Sequence, residues 1–268
     1  MHGAWDRPVK NRTLFFGEGL FETFRVYRGG RIPWIDEHLA RMARGCQFFS
    51  LPFSTEEARG AILRVLNEIP EEAEARLRLN LLSYGDQDVS EVRFSVHWEV
   101  LPDMNRLMSE GVRLGISPIR RYSLSPLVRF KTTSYMENMF VLRWARQHGF
   151  FDAIFTNERG EVTEGCISNI FFIKGDRVVI TPPVEAGLLD GITRAKIIEI
   201  LDFMNVDVLE EKILPDDLPQ FQGAFVTNSV IELLPVRLIG KISYPISSMI
   251  PRIQDSYRKR VLSPPFSQ

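Results

Sequence analysis

Hydrophobic and polar positions along the chain switch between the period of a strand and that of a helix. Residues 20–27 are strand-like, Gly29-Gly30 is a hairpin signal, and residues 31–34 read as the returning strand. Residues 36–49 then have helical spacing, with Leu39, Met42, Ala43 and Cys46 on one face. Ser54-Thr-Glu-Glu57 is a capping box, and Ala58, Ile62, Val65, Leu66 and Ile69 follow at helical intervals. Three strands come next, at about 74–83, 91–101 and 111–118; the middle one alternates Val92, Phe94, Val96 and Trp98.

The pattern breaks at Ser117-Pro-Ile-Arg-Arg-Tyr-Ser-Leu-Ser-Pro126, where two prolines oppose regular pairing. The expected division is a small α+β domain over 1–118, a linker over 119–126 and a second domain over 127–268. Beyond the break a helix is predicted over 134–148, stopping at Gly149. Strands are predicted at 151–156, 161–173 and 178–181, the last ending at Pro182-Pro183, where a missing backbone donor is harmless. A helix opens near Asp190, strands surround 223–236, and a last helix begins near Pro245.

Composition narrows the classes. The 268 residues are 44% hydrophobic, enough for sizeable cores. Lys plus Arg number 33 against 34 Asp plus Glu, with no basic run, so nucleic acid is not an expected partner. No apolar stretch approaches the roughly 20 residues that span a bilayer, and the polar start at residues 1–7 lacks the apolar core of a signal peptide. A cytoplasmic protein away from membranes is expected. Cys46 and Cys166 lack metal-ligand spacing and read as buried small hydrophobes, so no metal is expected.

Several residues could carry chemistry. Lys131, in Val-Arg-Phe-Lys-Thr-Thr-Ser-Tyr135, stands at the foot of the second domain, where partial desolvation would free its amine to attack an aldehyde; an ordinary surface lysine is the alternative. Glu164 is a carboxylate entering an apolar strand and needs a cationic partner. That partner is either a protonated ring nitrogen of a bound group or a nearby arginine. Gly191-Ile192-Thr193 opens a helix with free amides and a hydroxyl suited to a phosphate. Thr227-Asn228-Ser229 follows an apolar strand and could add donors. Arg41, three residues after His38, reads either as a phosphate fork or as a solvated helix face.

Taken together and in order, these segments resemble the fold type IV pyridoxal-phosphate enzymes, a group that includes branched-chain and D-amino acid aminotransferases and aminodeoxychorismate lyase. Phe16-Gly-Glu-Gly-Leu-Phe-Glu-Thr-Phe-Arg25 looks like the substrate-strand signature, His38-Leu-Ala-Arg41 like the motif whose arginine binds the cofactor phosphate, and Arg129-Phe-Lys131 like the Schiff-base lysine region. Glu164-Gly-Cys-Ile-Ser-Asn169, 33 positions after the lysine, is similar to the motif of the ring-nitrogen glutamate. Residues 187–194 and 227–236 resemble the two phosphate-binding segments. The fifteen residues before Phe16 are fewer than the family usually has there.

The resemblance implies an α/β (α+β) fold of two domains, one small and one larger and barrel-like, with pyridoxal 5′-phosphate in the cleft and a homodimer. It further implies Lys131 as the catalytic and cofactor-holding residue, with Glu164, Arg41, Ile192, Thr193, Asn228 and Ser229 as cofactor contacts. Phe21, Arg78, Val230 and Ile231 would line the pocket for a small-molecule amino-group substrate. Tyr135 lies near the lysine and receives no role. The opening Phe21-Glu-Thr-Phe and the segment Val226-Thr-Asn-Ser-Val-Ile-Glu-Leu-Leu-Pro235 look more like the lyase than the transaminases. The implied reaction is conversion of 4-amino-4-deoxychorismate to 4-aminobenzoate and pyruvate, a step of folate biosynthesis. The alternatives are a branched-chain or D-amino acid aminotransferase, or a non-catalytic protein that binds pyridoxal phosphate.

Overall fold

The structure, a computed structural model, describes residues 10–262; the polar start at residues 1–7 lies outside them. The chain forms two compact units, one running to Leu101 and including Phe130–Tyr135, the other made of Pro102–Arg129 and Met136 onwards.

The first unit comprises α1 (Arg12–Phe16), β1 (Gly19–Val26), α2 (Ile35–Phe48), α3 (Thr55–Leu66), β2 (Ala75–Tyr84) and β3 (Glu91–Val100). The strands form one antiparallel sheet in the order β1-β2-β3. Alternation along β1 and β2 sends Leu20, Phe24, Leu77, Leu79 and Leu81 to one face, where they meet Leu39, Met42 and Cys46 of α2 and Ile62 of α3. Each such leucine contributes about 1.5–3 kcal/mol by leaving water. The Ser54 hydroxyl accepts the Glu57 amide and starts α3, as its sequence predicts.

The strand expected at 31–34 does not form. Gly29 and Gly30 both adopt positive φ, the turn closes on a single bridge between Tyr27 and Arg31, and Pro33 has no amide to continue a ladder. The antiparallel partner of β1 is β2, about fifty residues later.

The second unit holds α4 (Asn105–Glu110), β4 (Val112–Arg121), α5 (Met136–Gln147), β5 (Asp152–Asn157), β6 (Val162–Gly165), β7 (Asn169–Lys174) and β8 (Val178–Thr181). It continues with α6 (Ile192–Phe203), β9 (Asp207–Glu210), β10 (Gly223–Asn228), β11 (Glu232–Ile239), β12 (Ile242–Ser243) and α7 (Met249–Leu262). Its sheet runs β6-β5-β4-β11-β10-β7-β8-β9, with β12 beside β11. β4 lies parallel to β5 and β8 parallel to β9, and in each case a helix makes the crossover that a parallel pair requires. Both faces of β5 are covered: Ile154 packs with Leu114, Val226 and Leu234, while Ala153 and Phe155 pack with Val141 and Leu142 of α5.

Two expectations need correction here. Residues 119–126 are not a linker, because β4 continues to Arg121 and pairs with β5 through Arg120 and Arg121. Pro118 is accommodated by a register shift between Ile116 and Arg120, and the Ser117 hydroxyl accepts the Ile119 amide that leaves the ladder there. The chain divides instead at Leu101, and 130–135 returns to the first unit. The strand expected over 161–173 is two strands, β6 and β7, separated by a turn at 166–168. The mixed α/β class stands, whereas α1, α4, β9 and β12 were not legible as elements.

Candidate active site

In the first unit, Lys131 lies on a strip laid along the outer edge of β1. The Phe21 amide donates to the Lys131 carbonyl at 2.9 Å, Leu20 bridges Thr132, and the Thr133 amide donates to Gly19. Lys131 is half-buried, with Nζ 4.5 Å from the centroid of the Phe21 ring. Cζ of Arg78, from β2, stands 3.6 Å from the same centroid, and the Tyr135 ring meets Phe21 edge-on at 5.3 Å. Register explains the grouping. Phe21 pairs with Asn80 and Thr23 with Arg78, so Phe21, Arg78 and Asn80 share the face opposite the core. The Arg78 Nε donates to Asn80 Oδ1 at 2.7 Å, and burial lowers the guanidinium's pKa.

Glu22 occupies the opposite, core-facing phase of β1 and is fully buried. The guanidinium of Arg41 on α2 donates to it through Nε (2.8 Å) and Nη2 (2.7 Å), and His38 Nδ1, one turn away, lies at 2.8 Å. Burial pushes the Glu22 carboxyl up, but Arg41 and His38 together outweigh it and hold the group well below the usual carboxylate range. For His38, burial lowers the pKa and Glu22 only partly offsets it. Arg41 is therefore not on a solvated helix face. Two of its donors serve a carboxylate, in a small cavity whose lining includes Phe21, Glu22, Arg41 and Lys131. Glu22 was missed, although its position in the inward phase between Leu20 and Phe24 is a signal that it needs partners.

In the second unit, Glu164 is buried near the end of β6. Its Oε1 accepts from Arg121 Nη1 at 2.6 Å, and its Oε2 accepts from Asn169 Nδ2 and the Leu189 amide, both at 3.2 Å. The arginine partner considered for Glu164 thus exists, at the end of β4 and 43 positions earlier in sequence, and was not foreseen by number. Arg121 is buried with Cζ 3.7 Å from the Phe155 centroid, and its Nη2 has no hydrogen-bond partner among the described residues.

The start of α6 is capped by Gly191 with no side-chain hydrogen bond, so the amides of Ile192 and Thr193 open the helix. A Cβ on Gly191 would lie 2.1 Å from Asn169 Oδ1, which keeps the helix start and the Glu164 network in close approach. The Thr193 hydroxyl lies 3.4 Å from that of Ser229, and the buried Thr227 hydroxyl has no partner among the described residues. Asn228 Oδ1 accepts the Val230 and Ile231 amides and its Nδ2 donates to the Ile167 carbonyl, so its side chain builds the turn that presents Ser229. Ile231 packs in the core rather than lining a substrate pocket, and Val230 is half-buried. Cys46 and Cys166 are buried, and burial pushes the Cys46 thiol up to about 12.

Comparison with known proteins gives the family. Residues 19–239 match the family described as amino-transferase class IV. An aminodeoxychorismate lyase from Bacillus subtilis is 31% identical over 242 residues, covering 86% of this chain and 80% of that one. A D-alanine aminotransferase from Bacillus licheniformis is 26% identical over 244 residues, with 86% and 82% covered. Among solved structures, the branched-chain aminotransferase of Thermoproteus uzoniensis superposes with a TM-score of 0.84 at 28% identity, covering 96% of this chain and 90% of that one.

The chain belongs to the class IV amino-transferase family. It is an enzyme whose cofactor is pyridoxal 5′-phosphate. The residues present suit that group by their own chemistry: an amine in a partly desolvated setting, a buried carboxylate, and a helix start with two adjoining hydroxyls.

Proposed function

We propose that this enzyme is an aminodeoxychorismate lyase, converting 4-amino-4-deoxychorismate to 4-aminobenzoate and pyruvate. The observation that carries this reading is the 31% identity to the Bacillus subtilis lyase, above the 26% to the D-alanine aminotransferase. The Phe21-Glu-Thr-Phe and 226–235 segments support it.

Lys131 would hold the cofactor, Glu164 would serve its ring nitrogen, and the Ile192 and Thr193 amides with the Thr193 and Ser229 hydroxyls would take the phosphate. When bound, pyridoxal phosphate supplies an aldehyde for the substrate amine and a ring that takes up the electron pair released at carbon. Lys131 Nζ would move the proton from the carbon bearing the substrate amine. The buried Glu164 carboxylate is oriented by Arg121, Asn169 and the Leu189 amide and would hold a proton on the ring nitrogen. Arg41, with Nε and Nη2 on Glu22, forms a buried ion pair in the cavity that Lys131 also lines. Phe21 and Arg78 supply an apolar wall and a cation for a substrate carboxylate. A branched-chain or D-amino acid aminotransferase is the second reading, favoured by the close superposition on the Thermoproteus enzyme.

The two readings separate in one assay. The purified, cofactor-loaded enzyme is given aminodeoxychorismate without any keto acid, and pyruvate and 4-aminobenzoate are measured. The lyase produces both in equal amounts over many turnovers. A transaminase stops after one turnover unless an acceptor is supplied. Acceptor-dependent turnover of branched-chain or D-amino acids, with no pyruvate from aminodeoxychorismate, would replace the lyase by the transaminase.

A further inference from the structure

Asp152 opens β5 with its side chain wholly enclosed, and nothing in the chemistry above uses it. Its Oδ1 accepts the amides of Ala153 (2.8 Å) and Cys166 (2.9 Å), and its Oδ2 accepts the Ile167 amide (3.4 Å) and the Ser168 hydroxyl (2.8 Å). Three of these four donors belong to the turn between β6 and β7, which begins two residues after Glu164. Gly165, between them, cannot carry a side chain, because a Cβ would lie 2.4 Å from Asp152 Oδ2 and 2.6 Å from Ser168 Oγ.

The same turn is held from its other side. The Ile167 carbonyl accepts from Asn228 Nδ2 at 2.8 Å, and Asn228 Oδ1 fixes the Val230 and Ile231 amides of the turn carrying Ser229. One short turn thus joins the Glu164 strand to the hydroxyl beside Thr193. The groups that surround Asp152 in this way are donors, and only a carboxylate accepts at both of its oxygens; an asparagine would turn an NH2 group toward one pair of them. Burial pushes the Asp152 carboxyl up against the opposing effect of Ser168 and the Ala153 and Cys166 contacts. Keeping an acid there has a cost that a simple strand start does not require.

We propose that Asp152 is a positioning residue that sets Glu164 and the Ser229 turn in common register through the 166–168 turn, so that the groups for the ring nitrogen and for the phosphate are placed by one hydrogen-bonded relay. This rests on the assignment of Glu164, Thr193 and Ser229 under the proposed function. Asp152 acts through those residues and touches no reactant.

The test uses the full chain and two readouts other than turnover: calorimetric binding of inorganic phosphate to the cofactor-free protein, and the absorption band of the loaded protein. Thr193→Ala should weaken phosphate binding about tenfold through loss of one charge-assisted hydrogen bond. If phosphate binds equally with and without Thr193, the phosphate-site assignment fails and the relay with it. With that assignment intact, Asp152→Asn should weaken phosphate binding by about tenfold, the effect of leaving a buried donor unpaired, and should also shift the absorption band. Glu164→Gln should shift the band and leave phosphate binding unchanged. An Asp152→Asn protein with a lower melting temperature but wild-type phosphate affinity and band would overturn the proposal. Should that variant not fold, Ser168→Ala, which removes one donor, should move both readouts in the same direction by less, and its failure to move either overturns the proposal equally.

Discussion

Lys131 stands over the Phe21 ring while Arg78 stacks on that ring too, an arrangement that a solvated surface lysine does not need. Borohydride reduction of the loaded enzyme, followed by peptide mapping, should place the cofactor label on Lys131. A label on another lysine would end the assignment of that residue. Lys131 and Glu164 stand out in the sequence because each falls in a local run that resembles a known motif. Their partners do not. Arg121 reaches Glu164 from a different strand, and Glu22 meets Arg41 from 19 positions away, so these pairs exist only once strand and helix have been brought together. The roles of the Asn228 and Ile231 side chains are hidden in the sequence for a related reason. A motif places a residue near a site, whereas the turn geometry decides whether its side chain faces the ligand, the backbone or the core.

Periodicity identified α2, β2, β3 and α5 to within a residue or two, because each has an apolar pattern long enough to register. It merged β6 and β7, since apolar residues on both sides of Glu164-Gly165 hide a turn made by a buried carboxylate. It stopped β4 early because Pro118 is a strand breaker by composition, yet here it sits in a register shift. The start of α6 gives a prediction at this scale. Gly191 has φ −76°, which any residue can adopt, so Gly191→Ala adds no backbone strain and its effect is the contact with Asn169 alone. Asn169 should move off Glu164, and cofactor affinity should fall about tenfold for one disturbed buried hydrogen bond. A spectroscopic titration giving wild-type affinity would mean that Asn169 yields without effect.

At the scale of the whole chain, acid should destabilise the protein through a buried cluster. His38 is lowered from 6.5 and Glu22 from 4.5, so both bind protons more readily unfolded than folded. Their contribution is complete above those ordinary values and is lost as pH falls, first through His38 and then through Glu22. The melting temperature should therefore drop as pH is taken from about 7 to about 5, and His38→Gln should flatten that drop. Equal pH dependence in variant and wild type would remove His38 as the cause. The first unit is also discontinuous in sequence: residues 130–135, which cover the edge of β1, are made only after the first 28 residues of the second unit. A growing chain released as far as Leu101 lacks the strip that covers the outer edge of β1, and an uncovered edge is a template for pairing with other chains. Synthesis must continue past Tyr135 before that edge is sealed. The segment that seals it carries Lys131, so a nascent chain acquires its reactive amine and its protection from misassembly in the same step.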